Sequence, residues 1–166
     1  GREVNADDLR LLGKIYEWAK KEYAGQRFPS GEPYSQHAPK VACLVAEWCL
    51  SVSTVCAAML HKANQKAIDF LKSHAAQQMF GKGASRLSKK IEDFIFVNSR
   101  PYRDESMQLK GAKTIQNYMD MIIQLSQDLE DILLLFADKS EGVPLRADPQ
   151  ERQYRYREII EIFAPL

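Results

Sequence analysis

Apolar residues recur at three- and four-residue intervals along almost the whole chain, and strict alternation never persists long enough for a sheet. That spacing predicts an all-α bundle of short helices, in which 166 residues suffice for one ordinary core. The first stretch, Ala6 to Tyr23, sets Leu9, Leu12, Tyr16, Ala19 and Tyr23 on one face. Gly25 and the segment Pro29-Ser30-Gly31-Glu32-Pro33 interrupt the pattern as a loop. A second helix is predicted from about Gln36 to Leu50, and Ser51 or Ser53 caps a third running through Val55, Met59 and His61. The pattern resumes from Ile68 to Ala76 and, after the turn Phe80-Gly81-Lys82-Gly83, from Ala84 to Phe94. The polar stretch Ser99 to Met107 reads as an exposed loop. The longest pattern, Gln108 to Asp138, carries a bend near Ser126-Gln127-Asp128 and is ended by Gly142 and Pro144. A charged helix from about Pro149 to Ile162 follows.

A formal charge of +1 gives no field that would draw nucleic acid or an acidic membrane. No run approaches the ~18 apolar residues of a membrane helix, and no signal-peptide pattern opens the chain. Cys43, Cys49 and Cys56 are odd in number, sit in apolar helical surroundings and read as buried, reduced thiols. A cytoplasmic location is expected, with neither nucleic acid nor membrane as a partner. Residues 1–166 read as one domain of a longer protein.

Two imidazoles and a carboxylate stand out. His37 opens a helix after a loop, while His61 and Asp138 lie near the carboxyl ends of apolar helices, so the three can meet in one cleft. Imidazole with carboxylate suits a divalent metal such as manganese, which lowers the pKa of a bound water. On residue types alone, a histidine ending an apolar helix is more often a structural one.

Longer segments carry a resemblance. Ser30-Gly31-Glu32-Pro33-Tyr34-Ser35-Gln36-His37, Thr54-Val55-Cys56-Ala57-Ala58-Met59-Leu60-His61, and Asp128-Leu129-Glu130-Asp131-Ile132-Leu133-Leu134 leading to Asp138 resemble the HD hydrolase domain of the RelA/SpoT family. Tyr16-Glu17-Trp18-Ala19-Lys20-Lys21 is similar to that family's opening helix. Glu161-Ile162-Phe163-Ala164-Pro165-Leu166 is similar to its approach to a synthetase domain. The family makes and degrades the alarmone nucleotides pppGpp and ppGpp. The resemblance implies an HD-type helical bundle, with His37, His61 and Asp138 at metal-ligand positions.

The departures are as informative as the matches. Active members have His-Asp where this chain has His61-Lys62, and a Glu-Asp pair where it has Gln65 and Lys66. A protonated lysine offers no lone pair to a metal, and an amide is no general base. The family's loop carries arginine and lysine where Phe28 and Pro29 stand; Arg27 lies one residue earlier, and Phe28 either stacks on a base or anchors the loop. After Asp138 the family's ligand-contacting asparagine and threonine give way to Gly142 and Leu145. The expectation is therefore a vestigial metal site at His37, His61 and Asp138, with no cofactor, or manganese if the site survives. Catalysis is not expected, because Lys62, Gln65 and Lys66 are degenerate positions. A relic nucleotide pocket would involve Arg27, Phe28, Ser30, Lys139 and Gly142 and hold guanine nucleotide weakly, or another anion through Lys62, Lys66 and Lys139. The resemblance implies a pseudohydrolase that regulates or scaffolds a downstream GTP pyrophosphokinase domain of the same chain. The alternatives are a residual manganese-dependent ppGpp 3′-pyrophosphohydrolase, with Asp69 moved into the cleft, and a purely structural or dimerisation platform.

Overall fold

Polar side chains at the helix starts divide the chain. In α1 (Ala6–Glu22), Asn5 accepts from the amides of Asp7 and Asp8, and Asp8 reaches back to the Asn5 amide in a capping box. Ser51 caps α3 (Val52–Leu60), Asn64 caps α4 (Gln65–Leu71), and Ser73 caps α5 (His74–Phe80). Asp128 builds a second capping box at α8 (Leu129–Gly142), and Asp148 caps α9 (Pro149–Glu158). The remaining helices are α2 (Tyr34–Glu47), α6 (Ala84–Ser99) and α7 (Ala112–Leu125). A π-helical turn, Ile159–Phe163, continues α9. This computed structural model describes residues 4–28, 31–81, 83–99, 112–126, 128–143 and 148–166.

The architecture is all-α, as the periodicity predicts, and among the described residues the only β pairing is an isolated bridge between Arg27 and Pro33. The helix expected from Ile68 to Ala76 is instead two. The Ser73 hydroxyl accepts from the Ala76 amide, starting a new helix and competing with continuation of the old one. The expected bend near 126–128 is the α7–α8 boundary. The predicted loop from Ser99 to Met107 falls, beyond Ser99, outside the described residues, as do Lys82, Gln127, Pro144 and Leu145.

Helix α3 sits at the centre, packed against α1, α2, α6 and α8. Val55, Cys56, Ala57, Ala58 and Leu60 are all buried, and the small residues let the neighbouring helices approach closely. Around them lie Ile15, Tyr23, Val41, Val45, Leu71, Ile91, Ile122, Leu134 and Ile162. Glu130, in the first turn of α8, accepts from the Ser51 amide and from the hydroxyls of Ser51 and Thr54. That contact fixes the start of α8 to the start of α3. The far ends of these two helices then converge as well.

Two expectations need correction. The core face of α1 runs through Leu11, Leu12, Ile15, Ala19 and Tyr23, whereas Leu9 is 62% exposed and Tyr16 41%. Starting the stripe at Leu9 rotated it away from Ile15, which the same spacing rule also accommodates. Of the three free cysteines only Cys56 is buried, its thiol pushed up to about 12 by burial; Cys43 and Cys49 are exposed. The burial pattern sets a test. Leu60→Ala should lower the unfolding free energy in urea by about 2–5 kcal/mol through the cavity it leaves. Leu9→Ala should change it by no more than about 0.5 kcal/mol. Comparable losses at the two positions would contradict this packing.

Candidate metal centre and its lysine

Three helices deliver the site. His37 lies in the first turn of α2, His61 is the C-cap of α3 with Lys62 beside it, and Asp138 lies in the last turns of α8. All but Lys62 are buried, and the Lys62 side chain is 17% exposed. One carboxylate oxygen, Asp138 Oδ1, is the common point. It stands 3.0 Å from His37 Nε2, 2.9 Å from His61 Nε2 and 2.9 Å from Lys62 Nζ. Lys62 Nζ also donates to Asp138 Oδ2 at 3.1 Å.

The hydrogen-bond network assigns the histidine tautomers. His61 Nδ1 faces the Ala58 carbonyl, which can only accept, so the proton sits on Nδ1. Burial, aided by the Lys62 charge, holds the imidazole below its ordinary value against the pull of Asp138. A neutral His61 then turns its Nε2 lone pair to the centre. His37 Nε2 lies 3.3 Å from that nitrogen and shares its proton between it and Asp138, while His37 Nδ1 is buried with no hydrogen-bond partner. Burial opposes ionisation of Asp138, yet the Lys62 charge and the His37 N–H hold its carboxyl well below the ordinary carboxylate range.

His37, His61 and Asp138 form a group able to hold a metal ion. Their mutual spacings of 2.9, 3.0 and 3.3 Å resemble one face of an octahedron, whose edge is about 3.0 Å for bonds of about 2.1 Å. The donors therefore fit a divalent cation by spacing and type. The charge beside them does not, because the Lys62 ammonium already engages both oxygens of the one carboxylate.

A cavity of about 140 Å³ opens beside this cluster, lined by Phe28, Lys62, Asp138, Lys139, Gly142 and Arg155, with His37 at its wall. Phe28 is buried and meets Tyr34 and His37 edge-on, with Lys62 Nζ 5.7 Å from its ring centre. It anchors the loop and also walls the cavity. Gly142 leaves open space there.

Other expected residues lie elsewhere. Arg27 donates to the Gly31 carbonyl of its own loop, and Ser30 falls outside the described residues. Gln65 and Lys66 are exposed in the first turn of α4 and do not line the cavity; the Gln65 amide donates to Asp69, which is exposed too. The second and third cations of the cavity are thus Lys139 and Arg155, without Lys66.

Arg155 and its partner Glu158 lie in the helix that the sequence marks only as charged. Glu158 is 1% exposed, accepts from Arg155 Nη1 at 2.7 Å and lies 3.4 Å from Lys139 Nζ. Burial holds the Lys139 ammonium below its ordinary value, with Glu158 working against that. A signal was present in the spacing. Tyr154, Glu158 and Ile162 follow at four-residue intervals, so the acid interrupts an apolar stripe.

Comparison with known proteins agrees with this geometry. Residues 16–166 match the HD domain family. The bifunctional (p)ppGpp synthase/hydrolase SpoT of Escherichia coli (strain K12) is 30% identical over 162 residues, covering 96% of this chain and 22% of that protein. The GTP pyrophosphokinase of Myxococcus xanthus is 29% identical over 168 residues, covering 96% and 20%. The guanosine-3′,5′-bis(diphosphate) 3′-pyrophosphohydrolase of Aquifex aeolicus (strain VF5) is 28% identical over 157 residues, covering 93% and 21%. The chain spans about a fifth of the length of these relatives. With a helical bundle that brings two histidines and an aspartate to one buried point, the chain belongs to the HD domain family, in its RelA/SpoT (p)ppGpp synthetase/hydrolase branch.

Proposed function

We propose that residues 1–166 are a catalytically inactive pseudohydrolase domain, in which the Lys62 ammonium stands in for a metal ion, and which regulates or scaffolds a GTP pyrophosphokinase domain further along the same chain. The observation that carries this reading is the contact of Lys62 Nζ with both oxygens of Asp138, at 2.9 and 3.1 Å. At ~4 Å and an effective dielectric of ~20, a divalent ion and a protonated lysine repel by about 8 kcal/mol, twice the figure for unit charges. That offsets a large part of the attraction a single carboxylate offers. The ion is left with two neutral imidazoles, a thin ligand set for a hard cation.

The second support is independent of the first. A metal in an HD-type site supplies a water of lowered pKa. A general base beside that water is the other requirement. Gln65 and Lys66 are exposed and outside the cavity, and Asp69 is engaged by Gln65. No described carboxylate other than Asp138 lines the cavity. The cleft therefore binds and positions charge without the groups that would turn water into a nucleophile.

Lys62→Asp restores a second carboxylate. The variant should gain a manganese-dependent rise in melting temperature, worth about 2.7 kcal/mol at a hundredfold excess over Kd. The unaltered chain should show none; a manganese shift there would return the metal-dependent 3′-pyrophosphohydrolase reading. In the protein that carries the synthetase domain, deleting residues 1–145 should alter the rate of pyrophosphate transfer from ATP to GDP or GTP. An unchanged rate favours the structural platform instead.

The cluster also sets a pH dependence, measured in chelator. The folded-state value of His61 lies below its ordinary 6.5, so its contribution to stability is complete above that pH and is lost as pH falls toward the folded value. Asp138, depressed below 3.8, adds a second loss as pH falls beneath that value. The urea midpoint should therefore drop from pH 7 to 5, and less steeply in His61→Asn. Equal slopes in the two proteins would refute the assignment.

A further inference from the structure

Glu158 is a carboxylate buried where the cavity's cations gather. It reaches inward from the last residue of α9 and meets two of the three basic residues among the described cavity lining, Lys139 and Arg155. Arg155 Nε is buried without a hydrogen-bond partner, so Glu158 uses only part of the guanidinium's donor set. With Lys62, Lys139 and Arg155 positive and Asp138 and Glu158 negative, the described lining residues and their partner carry 3 − 2 = +1. The space of about 140 Å³ approaches the ~150 Å³ of a cavity that admits benzene. A compact oxyanion fits that volume and sign. The fork of an arginine, with two ammonium groups near it, suits phosphate oxygens.

We propose that Glu158 is an internal stand-in for a phosphate-class anion: a phosphate or diphosphate group entering the cavity takes Lys139 and Arg155 from Glu158 and so loosens α9 and the turn Ile159–Phe163. The inference deepens the reading of the cleft as a regulatory site and rests on it. That turn's Ile162 and Phe163 pack in the core beside α8, and Leu166 packs against the same core. Deprived of its two cationic partners, a buried Glu158 carboxylate no longer has its charge compensated, and the helix end that carries it moves toward water. Occupancy of the cleft is thereby communicated to the segment after residue 163 without a metal and without chemistry.

The test is titration calorimetry with inorganic pyrophosphate in excess EDTA, together with hydrogen exchange over residues 149–163. The unaltered chain should bind pyrophosphate and exchange faster in that segment when it does. Glu158→Gln, which removes the competitor, should bind at least tenfold tighter and exchange fast from the outset. Lys139→Met should lose at least tenfold in affinity. The proposal is overturned if Glu158→Gln binds no tighter, or if pyrophosphate leaves exchange at 149–163 unchanged or slower. Should Glu158→Gln fail to fold, exchange on the unaltered chain decides alone, and absence of pyrophosphate binding counts against it. Inorganic phosphate as a second titrant separates a single-phosphate site from a diphosphate one. Because EDTA excludes metal, a failure here leaves the Lys62–Asp138 pairing untouched. A manganese shift in the unaltered chain would defeat the lysine-for-metal reading while leaving this result to stand.

Discussion

An ionised carboxylate taken out of water costs several kcal/mol unless its charge is met. Asp138 of α8 is such a group, and the start of α2 and the end of α3 meet it. The His37 ring comes from the start of α2, the His61 ring from the end of α3, and Lys62 from the residue after it. The Glu130 contacts with Ser51 and Thr54 fix the opposite ends of α3 and α8, so the two helices are tied at both extremities. Neither can slide along the other without stranding a charge. A neutral residue at position 62 would leave Asp138 facing two imidazoles, one of them held neutral by burial. The lysine is thus part of the fold's electrostatic closure whatever it once replaced.

Consecutive residues of α8 face two different partners. Asp138 turns to the imidazoles, and Lys139 turns to Glu158 of α9. Leu134, Leu135 and Ala137 are buried just upstream, which fixes the rotation of the helix and hence both contacts. The charge pairs therefore lie in series across a single helical turn, between the cleft and the end of α9. The distance a signal must travel is short. In the proposed exchange, an entering anion and Glu158 are mutually exclusive partners of Lys139 and Arg155, which supplies the two states that coupling requires.

The helices themselves were legible because periodicity and caps report on the same physics that forms them. Asn5, Ser51 and Asp128 act as sequence rules say such residues should. The α1 face was misassigned because a stripe from Leu9 and one from Leu11 satisfy the same spacing, and only the partner helices choose between them. His37, His61, Lys62 and Asp138 could be placed together through resemblance, since no local pattern joins positions 101 residues apart. Arg155 and Glu158 were missed for a different reason. A charged helix is ordinarily solvated, and its mean composition hid one acid on the apolar stripe between Tyr154 and Ile162.

The cleft answers two electrostatic demands with its own side chains. Where a divalent cation would lie against Asp138, an ammonium does so on a tether, needing no ion from solution. Where an oxyanion would lie against Lys139 and Arg155, a carboxylate from α9 does so. Each substitution keeps buried charge compensated, which preserves stability, and each removes what the external group alone provides. An ammonium has no open coordination position at which to acidify water. A tethered carboxylate can be displaced but never consumed. On the reading proposed above, a site built this way does not turn over, yet stays open to any anion that competes for its cations. On that reading, the competition is a reason for the polar cluster to persist in a cleft where Asp138 is the one carboxylate among the described lining residues.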